Sequence, residues 1–244
     1  GDIAWTAGAG DAAYSSPVAI TYNGTRQVLF LTPSALTSVA PADGTELWSY
    51  AWGDGINIAT PLFVPDDLIF VSASYDKGSA VVRMSGQGDA LAVEEVWASR
   101  VMRNHFNSSV LLDGYLYGFD GRNQGDASLA CIDAADGRVV WREAPVWTET
   151  FEQNGRQRQA TVSTARGSLL AVDGQFLALG ELGHLLWLDL TPDGYREVSR
   201  SWLVAAQESW TLPVLSRGLL YVVQNTRDIL TGAAPRLTCY DLRA

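Results

Sequence analysis

At 244 residues, with 47% hydrophobic and only 18% charged residues, the chain carries enough apolar mass for a folded core and falls outside the disordered class. Its 17 Lys and Arg against 27 Asp and Glu give a net charge of −10, without the clustered positive charge that nucleic acid or an anionic membrane surface demands. No apolar run reaches the roughly 18 residues needed to span a bilayer, and the opening Gly1-Asp2-Ile3, without Met or a leader-like stretch, reads as a processed or excised product.

The elements repeat along the chain. A short strand, Asp2-Ile3-Ala4-Trp5, comes first. Ser16-Pro17-Val18 then runs to a turn at Asn23-Gly24 and a strand at Val28-Leu29-Phe30. Leu36 to Trp48 reads as strand, Asp43-Gly44 turn, strand. Asp-Gly between alternating apolar runs is a strong hairpin signal, because glycine takes positive φ without steric cost. The same order returns at Thr60-Pro61-Leu62 with Asp66-Asp67 and Leu68 to Val71, followed by Val81 to Met84 and Val96-Trp97. In the third copy, Ser109-Val110-Leu111 runs through Asp113-Gly114 to Tyr115-Leu116-Tyr117. Leu129 to Trp141, with its Asp136-Gly137 turn, aligns on Leu36 to Trp48 without a gap.

The segment Trp147 to Arg158 interrupts the repeat and, as a long loop mixing aromatics with cations, is a second candidate contact surface. A fourth copy covers Leu169 to Trp202. A fifth runs from Leu212-Pro213-Val214 to Leu237-Thr238-Cys239-Tyr240-Asp241 and lacks its fourth strand. Up-and-down sets of four strands recurring about every 50 residues predict an all-β propeller of about five blades. The blades fall near 9–50, 56–98, 105–142, 166–203 and 210–244 plus 2–7, in one domain over 1–244. The first strand is expected to pair on the open edge of the last blade and close the ring, which predicts adjacent termini.

The pattern Leu-x-x-x-Asp-x-x-Asp-Gly-x-x-x-Trp at Leu129 to Trp141, with Ser16-Pro17-Val18 and Asp113-Gly114-Tyr115-Leu116-Tyr117, resembles the pyrroloquinoline-quinone-like propeller repeat. Quinoprotein dehydrogenases and bacterial outer-membrane assembly lipoproteins share that repeat. The resemblance covers nearly the whole chain except about 145–165. The end, Leu237 to Ala244, is similar to the C-terminal part of secreted or periplasmic quinoprotein-like propellers. It implies a periplasmic or extracellular setting and closing aromatics wedged between blades, at Trp5, Trp48, Trp97, Trp141 and Trp202. Members usually have seven or eight blades, so five is either a short ring or part of a larger one.

Loops around the channel mouth are the default ligand site of such a fold. They offer Tyr14, Asn57, Arg103, Asn104, His105, Arg158 and Trp210 as candidate ligand- or partner-binding residues, with Arg103-Asn104-His105 expected to face Tyr14 and Trp210. Tyr75-Asp76-Lys77, Asp120 to Asn123, Glu181 with His184, and Asn225 to Asp228 lie in loops on the same face. The alternative is that Asn104 and His105 only satisfy loop backbone.

No catalytic or metal constellation assembles from two histidines, and no Gly-x-Ser-x-Gly elbow precedes a helix. Cys131 and Cys239 sit at equivalent places in different blades, too far apart to bridge, and read as small buried strand residues. The resemblance to true quinoprotein dehydrogenases would imply pyrroloquinoline quinone, calcium and a vicinal disulfide, and none of these transfers to matching positions. Asn107-Ser108-Ser109 fits the glycosylation pattern but opens an inner strand, and reads as chance. The leading expectation is a non-enzymatic protein-binding or scaffold module with no cofactor. The alternative is a quinoprotein-type oxidoreductase or a sugar or quinone binder at the channel mouth. The oligomeric state stays open.

Overall fold

A computed structural model describes residues 1–8, 10–53 and 55–243, and these are all β apart from one 3-10 turn at Gly88–Ala90. No helix among them is long and apolar enough to cross a membrane. The first sheet contains β1 (Val18–Tyr22), β2 (Thr25–Leu31), β3 (Ala35–Val39) and β4 (Glu46–Ala51); the second, β5 (Leu62–Val64), β6 (Leu68–Ala73), β7 (Gly78–Ser85) and β8 (Ala92–Ser99). The third contains β9 (Val110–Leu112), β10 (Tyr115–Asp120), β11 (Ser128–Asp133) and β12 (Val139–Glu143). After a hairpin of β13 (Val146–Gln153) and β14 (Arg156–Ser163) comes the fourth sheet, β15 (Ser168–Val172), β16 (Gln175–Leu179), β17 (His184–Thr191) and β18 (Gly194–Trp202). The fifth has three strands, β19 (Val214–Ser216), β20 (Leu219–Gln224) and β21 (Arg236–Asp241). Strands run antiparallel in sequence order within every sheet.

The middle strands of the second and third sheets are largely buried on both faces, and β6 is buried at all six positions, which is why Leu68-Ile69-Phe70-Val71 shows no polar alternation. Apolar faces of consecutive sheets pack on each other. Leu29 and Leu31 meet Ile69 and Val82; Phe70 and Val81 meet Leu116 and Ile132; Tyr117 and Leu129 meet Phe176 and Leu186; Leu177 and Leu179 meet Leu220 and Val222. Each such side chain contributes about 1.5–3 kcal/mol by leaving water.

The outermost pairing of all four complete sheets carries a register shift at the same place, at Ser38/Val39, Val81/Val82, Cys131/Ile132 and Trp187/Leu188. An extra residue there bends and twists the outer strand. In the first three sheets it brings a tryptophan opposite the inner strand: Ser38 faces Trp48, Val81 faces Trp97 and Cys131 faces Trp141. Trp97 then reaches the next sheet, donating its indole N–H to Ala134 O at 3.0 Å, and Trp141 does the same to Thr191 O at 2.8 Å. A Cβ at Gly137 would sit 2.6 Å from the Trp97 ring, so only glycine, at φ 73°, admits the indole. Trp48 and Trp202 differ from the expected wedge. They bond within their own sheets, to Gln27 Oε1 at 2.8 Å and Leu182 O at 2.9 Å.

The expected closed five-bladed propeller is not what forms. Four apolar interfaces link five sheets in succession, and among the described residues no core cluster or hydrogen bond joins the fifth sheet to the first. The described residues before Val18 contain no strand, so Asp2 to Trp5 does not complete the last blade, and the fifth sheet ends at β21. The physical reason lies in Trp5. Its indole N–H donates to Pro41 O at 3.1 Å and its ring covers Gly44, the same contact that Trp97 makes on Gly137. This docking holds the segment on the β3–β4 turn of the first sheet, over a cleft of about 610 Å³ lined by Phe30, Thr37 and Val39. Trp5 is therefore anchored on the first sheet, while β21 is the outermost strand of the last. The expected blade limits at 9 and 244 lie outside the described residues.

Candidate functional site

Loops between the second, third, fourth and fifth sheets converge on one aromatic and ionic cluster. Its foundation is an arginine–carboxylate clasp made twice. Asp120, at the end of β10, is 1% exposed; its Oδ1 accepts from the Arg103 backbone N–H at 2.7 Å and from Nε at 2.9 Å. Glu181, after β16, is fully buried and accepts from the Arg166 backbone N–H at 3.4 Å and from Nε at 3.0 Å, with a further bond from Nη2 to Oε1. Both arginines follow a left-handed residue, Met102 at φ 54° and Ala165 at φ 48°, which turns N–H and side chain toward the same acid. Burial pushes the Glu181 carboxyl up, yet the hydrogen bonds and charge of Arg166 outweigh it and hold the group below its ordinary value. The Asp120 hydrogen bond raises Arg103 against its own desolvation, with Asp126 and Asp76 adding to the effect from 3.7 and 3.9 Å.

An aromatic column stands on these clasps. Tyr75 meets His105 edge-on at 5.3 Å, His105 lies 3.8 Å from Phe106, and Phe106 stacks on Trp210 at 3.8 Å and 15°. The Arg166 guanidinium sits 5.1 Å from the Trp210 centroid and 5.5 Å from that of Phe106, and Arg122 covers Tyr75 at 4.3 Å. His105 is 5% exposed; its Nε2 meets the Tyr75 hydroxyl at 3.2 Å and its Nδ1 faces Arg166 Nη1 at 3.3 Å. Burial, then the nearby Arg166 charge, lowers its pKa, so the ring is neutral at physiological pH. Arg166 Nη1 also donates to Arg122 O at 3.0 Å, tying the third sheet's loop to the fourth's.

Asn104 is a fastener within this site. Its amide donates to Phe119 O at 3.0 Å and Asn107 Oδ1 at 3.2 Å, its Oδ1 accepts from Ser109 Oγ at 2.9 Å, and its backbone N–H donates to Ser72 Oγ at 2.9 Å. Asn107 itself is buried in the loop that precedes β9, not on the inner strand it was expected to open. Beside Phe106 lies a cleft of about 370 Å³, lined by Val110 of β9, by Ser168 and Leu170 of β15, and by the loop residues Thr60, Ser109 and Leu212. The buried Ser168 hydroxyl has no partner among the described residues.

The structure brings Arg103, Asn104, His105 and Trp210 together. Tyr14 and Asn57 lie elsewhere, at the junction of the first and second sheets. There the Tyr14 N–H donates to Asn57 O at 2.9 Å, the Tyr14 side chain is 76% exposed, and the Asn57 amide donates to Thr32 O at 2.6 Å. Arg158 is exposed on β14, opposite Phe151. Sequence reasoning did not single out Phe106 or Arg166. Arg166 precedes Glu181 by 15 residues as Arg103 precedes Asp120 by 17, and that parallel was the available signal.

The presumed loop at 147–158 is a β-hairpin spanning Val146 to Ser163, turned at Asn154-Gly155 with φ of 54° and 71°. It is moored by fully buried His184, which stacks on Trp202 at 4.7 Å and 11°, meets Trp147 edge-on at 5.0 Å and contacts Glu149 Oε2 at 3.1 Å. Phe151 adds an edge contact to Trp202 at 5.8 Å, and Arg200 lies over Trp147 at 4.2 Å. Burial lowers the His184 pKa, with Glu149 opposing that shift and Arg200 adding to it.

Pyrroloquinoline quinone with calcium does not fit these residues. Among the described residues no group of three or more His, Cys, Asp or Glu could hold a metal ion. The buried acids of the mouth, Asp120 and Glu181, are already committed to Arg103 and Arg166. Both cysteines are free. Cys131 is buried, which pushes its thiol up to about 11, whereas Cys239 is exposed on β21, contrary to the buried place expected for it.

A family model described as "Outer membrane protein assembly factor BamB" matches residues 1–143, more than half of the chain. The chain belongs to that family. Its BamB-type character agrees with the solved structures it resembles. The crystal structure of BamB from Moraxella catarrhalis matches with a TM-score of 0.56 at 16% identity, over 94% of this chain and 65% of that one. Saccharomyces cerevisiae Sqt1 matches at 0.53 and 11%, over 91% and 58%, and a europium-containing methanol dehydrogenase at 0.53 and 11%, over 93% and 57%. At these identities the likeness shows the fold alone, on which binding proteins and enzymes both occur. The chain spans 65% or less of the length of these three proteins. No curated protein matches the chain closely enough to carry an argument.

Proposed function

We propose that this chain is a non-catalytic, protein-binding module of an extracytoplasmic compartment, and that the mouth formed by the second to fifth sheets holds its partner. One observation carries the reading. The buried acids and the histidine of the mouth are engaged, Asp120 by Arg103, Glu181 by Arg166, and His105 by Tyr75 and Arg166, so none of these three is free to act as an acid, base or nucleophile. What faces outward is arginine, tyrosine and tryptophan, the side chains that dominate protein-binding hot spots. Membership in an outer-membrane assembly family supports both the compartment and the kind of partner.

The test is photo-crosslinking in the native compartment, with p-benzoylphenylalanine placed at Arg122 and at Asn225 on the mouth, and at Val198 on the outer strand β18 as a control. The reading expects one discrete protein adduct at the two mouth positions and none at 198. Equal crosslinking at all three, or none at the mouth, contradicts it. A second reading, a small-ligand binder, is favoured by the unpaired Ser168 hydroxyl in the cleft beside Phe106. It expects a sugar or quinone to raise the melting temperature of the native chain but not of Ser168→Val.

A further inference from the structure

A separate cleft of about 340 Å³ lies between the outer parts of the first and second sheets, lined by Tyr50, Trp52, Lys77, Glu95, Ser99 and Arg100. Trp52 follows β4 and is only 4% exposed, yet its indole N–H finds no acceptor among the described residues. A buried donor left unpaired costs about 1–3 kcal/mol, so such groups mark places where an acceptor belongs. Lys77 Nζ lies 4.6 Å from the Trp52 ring centroid, and Tyr50 stacks beside that ring at 6.4 Å and 19°. Neither Lys77 nor Arg100 makes an ion pair with a described residue. Among the lining residues the acid is Glu95, and its Oε2 already accepts the Tyr50 hydroxyl at 2.5 Å.

We propose that this cleft is a docking site for a carboxylate of a partner peptide, with Trp52 as hydrogen-bond donor and Lys77 and Arg100 as its charge partners. Two cations against one anion leave the lining at +1, which matches a monoanionic carboxylate better than a doubly charged phosphate. The local field is thus opposite to the overall charge of −10. The aromatic wall of Tyr50 and Trp52 suits the aliphatic stem that carries such a group. This deepens the protein-binding reading, because Lys77 lies in the same β6–β7 turn as Tyr75 of the mouth.

The carboxylate can come from an acidic side chain or from a chain terminus, and two probes separate the sources. Acetyl-Glu-Glu-Glu-Glu-amide offers side chains only; acetyl-Ala-Ala-Ala-Ala with a free C-terminus offers only the terminal group. Nine tryptophans give nine indole N–H resonances in a proton–nitrogen spectrum, and Trp52→Phe assigns the relevant one. Titration with at least one peptide is expected to shift the Trp52 indole resonance downfield. Lys77→Ala with Arg100→Ala should weaken that binding at least tenfold, and Trp52→Phe about fivefold, the equivalent of one hydrogen bond near 1 kcal/mol. The other eight indole resonances report whether the variants keep the fold. Arg243→Ala, which loses only an exposed pair with Asp241 beyond the fifth sheet, should leave peptide binding unchanged. A Trp52 resonance that moves with neither peptide, or shifts that survive loss of both cations in a folded variant, overturns the site. Because the probes never touch the mouth, their failure leaves the crosslinking reading standing, and failed crosslinking leaves the cleft standing.

Discussion

The two histidines of the chain sit in two regions that use the same burial for different ends. At the mouth, His105 is wedged between Tyr75 and Phe106 with an arginine at its Nδ1, so the charge closest to it is positive. At the hairpin root, His184 is stacked between Trp202 and Trp147 with Glu149 at its Nε2, so a negative charge stands ready for a proton. Burial lowers both pKa values. The mouth joins loops of four sheets, and its histidine is held toward the neutral form by burial and Arg166. The hairpin root holds one two-stranded ribbon, and a ribbon of two strands has little stability of its own.

The largest expected effect comes from breaking the mouth. Glu181→Gln removes the charge that matches Arg166, a guanidinium only 15% exposed. Loss of one partner of such a pair costs about 3–5 kcal/mol, to be read as a lowered midpoint in urea unfolding at pH 7.5. A loss below about 1 kcal/mol would mean that the clasp does not hold the sheets together.

Trp147→Ala should act locally. Amides of 146–163 are expected to lose hydrogen-exchange protection while the strands of the second and third sheets keep theirs, because the hairpin forms its own cooperative unit. Protection lost throughout the chain would erase the distinction between the regions.

The smallest effect is a pH dependence. The folded pKa of His184 lies below its unfolded value near 6.5, so the unfolded chain takes up the proton first. Its contribution to stability is therefore complete above about pH 6.5 and falls as the medium becomes more acidic. Glu149→Gln removes the one neighbour that raises the folded pKa. It should widen the gap and steepen the loss of thermal stability between pH 7 and pH 5, whereas an unchanged slope would show that Glu149 does not act on His184.

Much of this architecture was readable in the residues. Asp43-Gly44 and Asp136-Gly137 announced hairpins at the right places, and Leu68 to Val71 announced a strand, because turn chemistry and apolar runs are local signals. The ring was misjudged because strand counting says nothing of how Trp5 spends its side chain. An indole that docks on Gly44 holds the segment by one residue while its backbone pairs with no strand. The hairpin at 146–163 is signalled by Asn154-Gly155 and by the alternation of Trp147, Glu149 and Phe151, but it falls outside the four-strand repeat and so is masked by it. At the mouth, Arg103, His105 and Trp210 were legible as loop residues. Their assembly was not, because it depends on Phe106 filling the gap and on Arg166, which follows the stretch outside the repeat. Tyr14 was grouped with them by loop class, yet neighbouring loops of one face are spread over several sheets.

The faces assigned to every loop depend on the sheets forming an open succession, with Trp5 anchored on the first and β21 outermost on the last. A spin-label distance between Ile3→Cys and the native, exposed Cys239 tests this directly, with buried Cys131 replaced by alanine. The account predicts that no population of label pairs falls at the separation of paired strands. A dominant population below about 15 Å, as strands spaced about 4.8 Å apart would give once the label arms are included, would contradict it.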